Sequence, residues 1–330
     1  MKLKKITAII IASVMIIASF TSCAAIEEKN LGGDSEFKIA MVANAPIADG
    51  GWNTACYEAM VEAAEAEGFD HTYTDNVQQT DYVTTFRAYA NLGYDLIFAP
   101  GNEFTDAIFE VAEYYPDTKF AILNGEDYGD NVQSLLPDNE QIGFIAGALA
   151  ALKSQTDSIG FVGGLDITPT RTMMKFYEKG AKYIKPNIKV STAMANSFDD
   201  TAKGKEIALS MMATNDVDVF FGHASAVDSG VREGIATKEN RWSIAQPTEL
   251  LDENPDIILT SIITSNTQLL RLAMQDVKND TYGNKIVKGT LGDNVLSIGK
   301  YGKSCPENLQ KEFNEIVEKV KNNEINLGEL

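Results

Sequence analysis

The stretch Ala48-Asp49-Gly50-Gly51-Trp52-Asn53 joins two segments of different periodicity. The segment before it, 37–44, is rich in Val, Ala and Ile like a strand, whereas apolar residues after it recur at helical spacing over 55–64. The two glycines let the backbone approach a ligand closely, and an indole between a carboxylate and a carboxamide suits a flat polar ligand. The stretch therefore predicts the strand–loop–helix connection at which an open α/β sheet binds its ligand.

The rest of the chain repeats this alternation in two series. The predicted strands lie near 37–44, 71–74, 95–100, 119–124 and 132–136, and then near 158–162, 189–194, 217–222, 242–245 and 257–263. Most of them are continuously apolar, which is typical of parallel strands covered by helices on both faces. We therefore expect an α/β fold of two Rossmann-like lobes with a cleft between them. The first lobe is predicted to comprise 37–138 plus 265–290, and the second 139–264 plus 291–330.

Length and charge narrow the class of protein. At 330 residues the chain exceeds the usual size of one domain, which agrees with two lobes. The net charge of −19 at pH 7 repels nucleic acid, so nucleic acid is excluded as a partner. We expect the protein to be a monomer and its ligand to be a small molecule that is neutral or cationic overall.

The N-terminus is typical of an exported protein. Within residues 1–22, lysines precede an apolar run from 6 to 20 and small residues before Cys23. This ending resembles a bacterial lipobox with Phe20 in place of the usual leucine, which implies that Cys23 is acylated after cleavage. The alternative is a conventional signal peptide with an incidental cysteine. We expect 23–36 to be a lipidated cysteine and tether, and the protein to be anchored on the extracytoplasmic face of the cell membrane.

Motifs of enzymes and metal sites are missing from the sequence. Cys56 and Cys305 are far apart and form no CxxC pair, so we expect two inert thiols. The two histidines lack zinc-site spacing, and no GxSxG nucleophile elbow is present. The segment 297–304 ends like a Walker A loop but begins with serine, and Pro306 interrupts the helix that such a loop needs. The sequence predicts no metal, no cofactor and no catalysis.

Several motifs carry a family resemblance that covers nearly the whole exported part. They are ADGGWN (48–53), DLIFAPG (95–101), YYPDTKFAILN (114–124), GFIAG (143–147), IGFVGG (159–164), GAKYIKP (180–186), SFDDTAKGKEIA (197–208) and LTSII (259–263). In this order and spacing the chain resembles the basic membrane protein family, the substrate-binding lipoproteins of ABC importers that include purine nucleoside receptors. The resemblance implies a type I periplasmic-binding-protein fold, in which three chain crossings form the hinge, and docking on a membrane permease.

The resemblance also implies a ligand site. The family sandwiches a purine ring between two aromatics, which match Trp52 and Phe198 in this sequence. Around them, the matching polar and glycine positions are Asp49, Asn53, Gly101, Asn102 and Asn124. Asn124 stands where the family usually has Asp, and an amide offers a donor as well as an acceptor.

Departures from the family pattern concern the sugar contacts. The family's acid that holds ribose hydroxyls has no counterpart in 243–247, where Gln246 is the candidate replacement, and its lysine is replaced near Thr264. A glycine-rich turn of the family appears as 223–226, which introduces His223 as a further candidate. These departures favour a free nucleobase or another planar heterocycle over an intact nucleoside.

Each candidate also has a purely structural interpretation. Trp52 and Phe198 would fill core space, and Asp49 or Asn53 would cap the following helix. Asn124 would brace a turn, and His223 would be a satisfied structural histidine. Asp199 is predicted to cap the helix that begins at 201. Two alternative functions remain open: a ligand-sensing lipoprotein for signalling, and an exported enzyme that processes nucleosides or sugars.

Overall fold

A computed structural model describes residues 35–48 and 50–329 of the chain. The predicted signal peptide, Cys23 and most of the tether lie outside the described residues, as does Asp49. The first part of the chain forms β1 (Phe37–Val42), α1 (Trp52–Glu67), β2 (Phe69–Thr74), α2 (Tyr82–Asn91), β3 (Leu96–Ala99), α3 (Thr105–Ala112), β4 (Lys119–Leu123) and β5 (Val132–Pro137).

The chain then builds a second series of elements before it returns. This series comprises α4 (Asn139–Lys153), β6 (Ser158–Gly163), α5 (Thr168–Ile184), β7 (Lys189–Met194), α6 (Thr201–Asn215), β8 (Val219–His223), α7 (Ala226–Ile235), β9 (Trp242–Ala245) and β10 (Ile258–Thr264). The last part forms α8 (Asn266–Lys278), β11 (Lys285–Gly289), β12 (Leu296–Ile298) and α9 (Glu307–Lys321).

Two six-stranded sheets organise these elements. Their strand orders are β11-β5-β4-β3-β1-β2 and β12-β10-β9-β8-β6-β7. The pairs of the first sheet are parallel, and in the second only β12 runs antiparallel, against β10. The chain passes between the sheets after β5, after β10 and after β11, so three crossings join the lobes. The predicted fold class is confirmed.

The two short strands of the return segment were not predicted. β11 has two exposed lysines around two half-buried residues, and β12 is three residues long, so neither has the continuous apolar run of a covered strand. Both are edge strands of their sheets. The proposed lobe boundaries at 138, 264 and 290 fall between strands of different sheets.

Close packing in the second lobe depends on glycines of α4 and α5. A Cβ on Gly147 would lie 1.9 Å from the carbonyl oxygen of Tyr177, and one on Gly180 equally close to that of Phe144. Asp138 begins α4 by accepting hydrogen bonds from the backbone N–H of Glu140 and Gln141. Gly147 and Gly180 therefore let α4 and α5 touch backbone to backbone.

Two smaller expectations have different outcomes. The cap of α6 is Asp200, whose Oδ1 accepts from the N–H of Lys203 at 2.9 Å, so the assignment to Asp199 was wrong. Only Asp200 stands at the N-cap position directly before Thr201.

Cys56 and Cys305 are free and buried, and burial raises their thiol pKa values to about 12 and about 11. High thiol pKa values make both groups poor nucleophiles.

Candidate functional site

A cleft of about 740 Å³ lies where the carboxyl ends of both sheets face each other. Its lining follows the ends of β3, β4 and β5 in one lobe and of β6, β7 and β8 in the other. The side of the cleft formed by the first lobe and the start of α4 is called the first-lobe wall, and the other side the second-lobe wall. The first-lobe wall comprises Asn102, Asn124, Glu126, Leu136, Pro137 and Asn139, and the second-lobe wall comprises Leu165, Asp166, Ile167, Thr168, Pro169, Arg171, Phe198 and His223. Loops at the carboxyl ends of parallel strands are where α/β folds bind ligands.

Phe198 and His223 form the aromatic part of the second-lobe wall. Their rings meet edge to face with centroids 6.2 Å apart. A Cβ on Gly164 would lie 2.4 Å from two ring carbons of Phe198, so this glycine leaves the space that the ring occupies. The His223 ring is held by a 2.8 Å hydrogen bond between Nδ1 and Oγ1 of Thr170, and burial lowers its pKa. His223 is therefore neutral at pH 7.

The remainder of the second-lobe wall mixes an apolar patch with the polar side chains of Asp166, Thr168 and Arg171. Leu165 and Ile167 are each 39% exposed, which is high for large hydrophobic side chains. Both lie in the loop between β6 and α5, beside Pro169 in the first turn of α5. Exposed apolar side chains that gather at a cleft are typical of a ligand site.

Polar side chains dominate the first-lobe wall. Asn124 has a left-handed backbone, with φ of 59°, and its N–H is bonded to the carbonyl oxygen of Leu135 at 2.9 Å. The side-chain amides of Asn102 and Asn124 have no partner within the described part of the chain and are exposed. The carboxylate of Glu126 lies in the same loop as Asn124. These groups are available to bind donors and acceptors of a ligand.

Trp52 and Asn53 begin α1 at the same edge of the sheet but are not among the lining residues. The Trp52 ring is 46% exposed, and its Nε1 donates to the carbonyl oxygen of Pro100 at 2.6 Å. Asn53 is buried, and its Nδ2 donates to Oδ1 of Asn44 at 3.2 Å, while its own Oδ1 has no partner among the described residues. Asn44 in turn donates to Glu103 at 2.8 Å. The indole is thus positioned beside the turn that carries Asn102.

Two further candidates, Gln246 and Gly101, are not among the residues that line the cleft. The Nε2 of Gln246 donates to the carbonyl oxygen of Gly222 and lies 3.3 Å from Sδ of Met173. Gly101 is buried, and a Cβ there would contact the side chain of Glu103. Of the nine predicted ligand residues, the cleft brings together Asn102, Asn124, Phe198 and His223, and Asp49 is outside the described residues.

Sequence reasoning missed Glu126, Leu165 and Ile167. Each lies two to five residues beyond a predicted strand, at the carboxyl end where ligands bind. That position was a usable signal, but a Glu or Leu in a loop is otherwise indistinguishable from an ordinary surface residue.

Comparison with known proteins gives the family. The sequence profile of the Bmp family, "ABC transporter substrate-binding protein PnrA-like", matches residues 37–330. The chain belongs to this family. The suspected resemblance to basic membrane proteins is thereby confirmed.

Individual relatives agree with the Bmp assignment. The "ABC transporter nucleoside-binding protein BmpA" of Lactococcus lactis is 31% identical over 235 residues, which cover 68% of this chain and 66% of that protein. A crystal structure of a transcriptional activator of the comK gene from Bacillus halodurans superposes with a TM-score of 0.73 at 20% identity and covers 86% of this chain and 97% of that one. A solute-binding protein of an ABC transporter system from Aeropyrum pernix gives a TM-score of 0.67 at 20% identity, with 87% and 92% covered.

The Bmp assignment fixes the general role. Substrate-binding proteins of ABC transporters bind small molecules on the extracytoplasmic side and deliver them to a membrane permease. Over residues 35–48 and 50–329, no helix is long and apolar enough to cross a bilayer.

Proposed function

We propose that the chain captures a purine-like planar ligand, a nucleobase or a nucleoside, between its two lobes. The observation that carries this proposal is that one cleft holds both an aromatic and apolar patch, with Phe198, Leu165 and Ile167, and the side-chain amides of Asn102 and Asn124 in the other lobe. A flat ring has apolar faces and a polar edge, so both walls are used at once. The volume of about 740 Å³ is within the range of small-molecule sites.

Stacking supplies the binding energy in this proposal. Phe198 offers one ring face, and Trp52 offers a second from the other lobe when the lobes close. Each stacked face contributes about 1–3 kcal/mol. The exposed ring of Trp52 is consistent with a partner that arrives with the ligand, because an indole left 46% exposed is not filling the core.

The polar edge of the ligand is assigned to the amides. Asn102 and Asn124 provide donors and acceptors for ring nitrogens and exocyclic groups. Gln246 is occupied by a backbone carbonyl, so it is not free to replace the family's sugar contacts. This supports a free base over a nucleoside, whereas the nucleoside-binding relative from Lactococcus lactis supports the nucleoside.

In this proposal, closure of the hinge around the ligand precedes its delivery to the permease. The ligand enters the open cleft, contacts one lobe and is then enclosed as the second lobe adds its own contacts. The closed form would be recognised by a permease. In this proposal the chain binds and releases its ligand unchanged, as a monomer, and performs no catalysis.

A ligand panel tests the proposal. Native mass spectrometry of protein purified without refolding should reveal any ligand that is carried along. We expect purine bases or nucleosides to raise Tm, since a ligand that binds only the native state stabilises it. Sugars that lack a base should leave Tm unchanged. A panel in which only sugars stabilise the protein contradicts the purine assignment.

Membrane anchoring through Cys23 is a separate proposal. The sequence before Cys23 supports it, and the acyl chains would hold the protein on the membrane with about 0.8 kcal/mol per buried CH₂. Cells fed a clickable fatty acid should label the wild type and not a Cys23→Ala variant. An unlabelled wild type would contradict lipidation and favour a conventional signal peptide.

A further inference from the structure

The charged groups around the cleft are unevenly matched. An adjoining recess of about 270 Å³ shares Glu126 and Pro137 with the cleft and adds Asp138, Glu140 and Lys288. Together, the two spaces are lined by four carboxylates and two basic side chains: Glu126, Asp138, Glu140, Asp166, Arg171 and Lys288.

Both basic side chains already have acidic partners. Nη1 of Arg171 donates to Oδ1 of Asp166 at 3.0 Å and to the carbonyl oxygen of the same residue at 2.9 Å. Nζ of Lys288 lies 4.0 Å from Oε1 of Glu140. Two of the four carboxylates are thereby balanced within the protein.

The remaining two carboxylates differ from each other. Asp138 caps α4 through bonds from two backbone N–H groups, so it is stabilised by the helix N-terminus. Glu126 has neither a hydrogen bond nor an ion pair with any described residue. The neutral imidazole of His223 supplies no charge across the cleft. Glu126 is therefore an unmatched negative charge in the first-lobe wall.

Closure of the lobes would add a desolvation cost for the Glu126 carboxylate. Glu126 is exposed to water in this structure, and the lobe closure proposed above would remove water from the cleft that it lines. Burying a carboxylate without a partner is costly, and a partner that brings positive charge offsets the cost. Arg171 is hydrogen-bonded to Asp166 and Lys288 lies nearest to Glu140, so the ligand is the remaining source of that charge in the cleft.

We propose that the ligand is a planar cation, whose protonated or quaternary nitrogen is bound by Glu126 while its ring faces the apolar second-lobe wall. This inference rests on the proposed function, because it uses the same cleft and the same closure. Glu126 is then a specificity-determining residue, which selects charged over neutral rings. Asn124 in the same loop donates or accepts at the ligand's uncharged edge.

Two pairs of probes separate charge from ring type. Adenosine and 1-methyladenosine share a purine and a ribose, but only the methylated compound is cationic at pH 7. Benzamide and benzamidine are a neutral and a cationic aromatic without a purine. Calorimetry at low salt should show the cation of each pair bound about tenfold more tightly, which corresponds to 1.4 kcal/mol. The preference should shrink as salt is added.

Two variants assign the preference to its residue. Glu126→Gln keeps the size and the hydrogen-bonding capacity and removes the charge, so the preference for the cations should fall at least fivefold. Asp127→Asn removes an equal charge from the neighbouring residue, which is exposed and does not line the cleft. This control should retain the preference of the wild type.

The outcomes distinguish the inference from the proposed function. If both adenosines bind with equal affinity, or if Glu126→Gln retains the preference, the inference is overturned and purine binding stands. If benzamidine is preferred through Glu126 while neither adenosine binds, the charge selection stands and a nucleoside is ruled out as the ligand. If no probe binds, the inference is overturned, and purine binding is decided by the free bases of the ligand panel.

Discussion

The two walls of the cleft differ in what they offer a ring. The first-lobe wall presents mainly exposed amides and a carboxylate, whereas the second-lobe wall alone carries an aromatic pair and exposed large apolar side chains, beside Asp166, Thr168 and Arg171. Apolar contact is non-directional and scales with area, and hydrogen bonds are directional. The comparison therefore suggests that the second lobe supplies affinity for a ring and the first lobe selects which ring is accepted.

Removing the stacking faces should have the largest effect on ligand affinity. We expect Phe198→Ala to weaken binding of the purine found in the panel by roughly 5- to 150-fold, because about 1–3 kcal/mol of stacking is lost. Trp52→Ala should cost at least about tenfold for the same reason. Calorimetry of each variant, with circular dichroism to confirm folding, provides the measurement.

A control variant separates the indole face from its hydrogen bond. Trp52→Phe keeps an aromatic face and removes the Nε1 bond to Pro100, so it should bind better than Trp52→Ala. If Trp52→Ala binds as the wild type does, the first lobe contributes polar contacts alone and the sandwich is wrong.

Displacing the Phe198 ring without deleting it should have an intermediate effect. A Cβ at Gly164 would lie 2.4 Å from Cδ1 and Cε1 of Phe198, so Gly164→Ala must shift that ring. We expect a loss of affinity of several-fold, measured by calorimetry with the same purine. Gly129→Ala in a first-lobe loop, where the nearest atom to a Cβ is at 3.3 Å, is the matched control and should bind normally. Equal effects of the two variants would show that the ring position does not matter.

The smallest expected effect concerns the support beneath the second-lobe wall. Oδ2 of Asp228 accepts from the N–H of Ala224 at 3.0 Å and so holds the loop that follows His223. Burial raises the pKa of Asp228 from 3.8 to about 7, against the opposing effects of the Ala224 N–H and of Arg232. The folded protein therefore binds a proton that the unfolded chain releases, so this group's contribution to stability decreases as pH rises through that interval.

Asp228→Asn should remove this pH dependence while keeping an acceptor for Ala224. We expect the Tm of the variant, relative to the wild type, to rise between about pH 4 and pH 7 and then to level off, since the wild-type carboxylate is ionised above its pKa of about 7. Each kcal/mol corresponds to roughly 2–4 °C for a protein of 150–250 residues and to less for a longer chain. Thermal melts across pH provide the measurement. A difference in Tm that is constant with pH would mean that Asp228 does not titrate in this range.

The fold was more predictable than the site. The ten predicted strands are present, and most of them are continuous apolar runs, as expected of strands covered by helices on both faces. β11 and β12 escaped prediction because they are short edge strands whose partners are distant in sequence. In the site, Phe198 and Asn124 were found through motifs, and Glu126 was missed because its lack of a partner is a property of its surroundings.

The sequence by itself determined the alternation of strands and helices, the family motifs and the surplus of acidic residues, because these are properties of neighbouring residues or of composition. Only the tertiary structure decided which loops share one cleft. It showed that Gln246 is engaged by a backbone carbonyl and that Arg171 and Lys288 are already paired, which leaves Glu126 unmatched. The Lys288–Glu140 pair joins segments that are distant in sequence, and the Arg171–Asp166 pair depends on the conformation of its own loop. Neither pair is visible in the periodicity of the sequence.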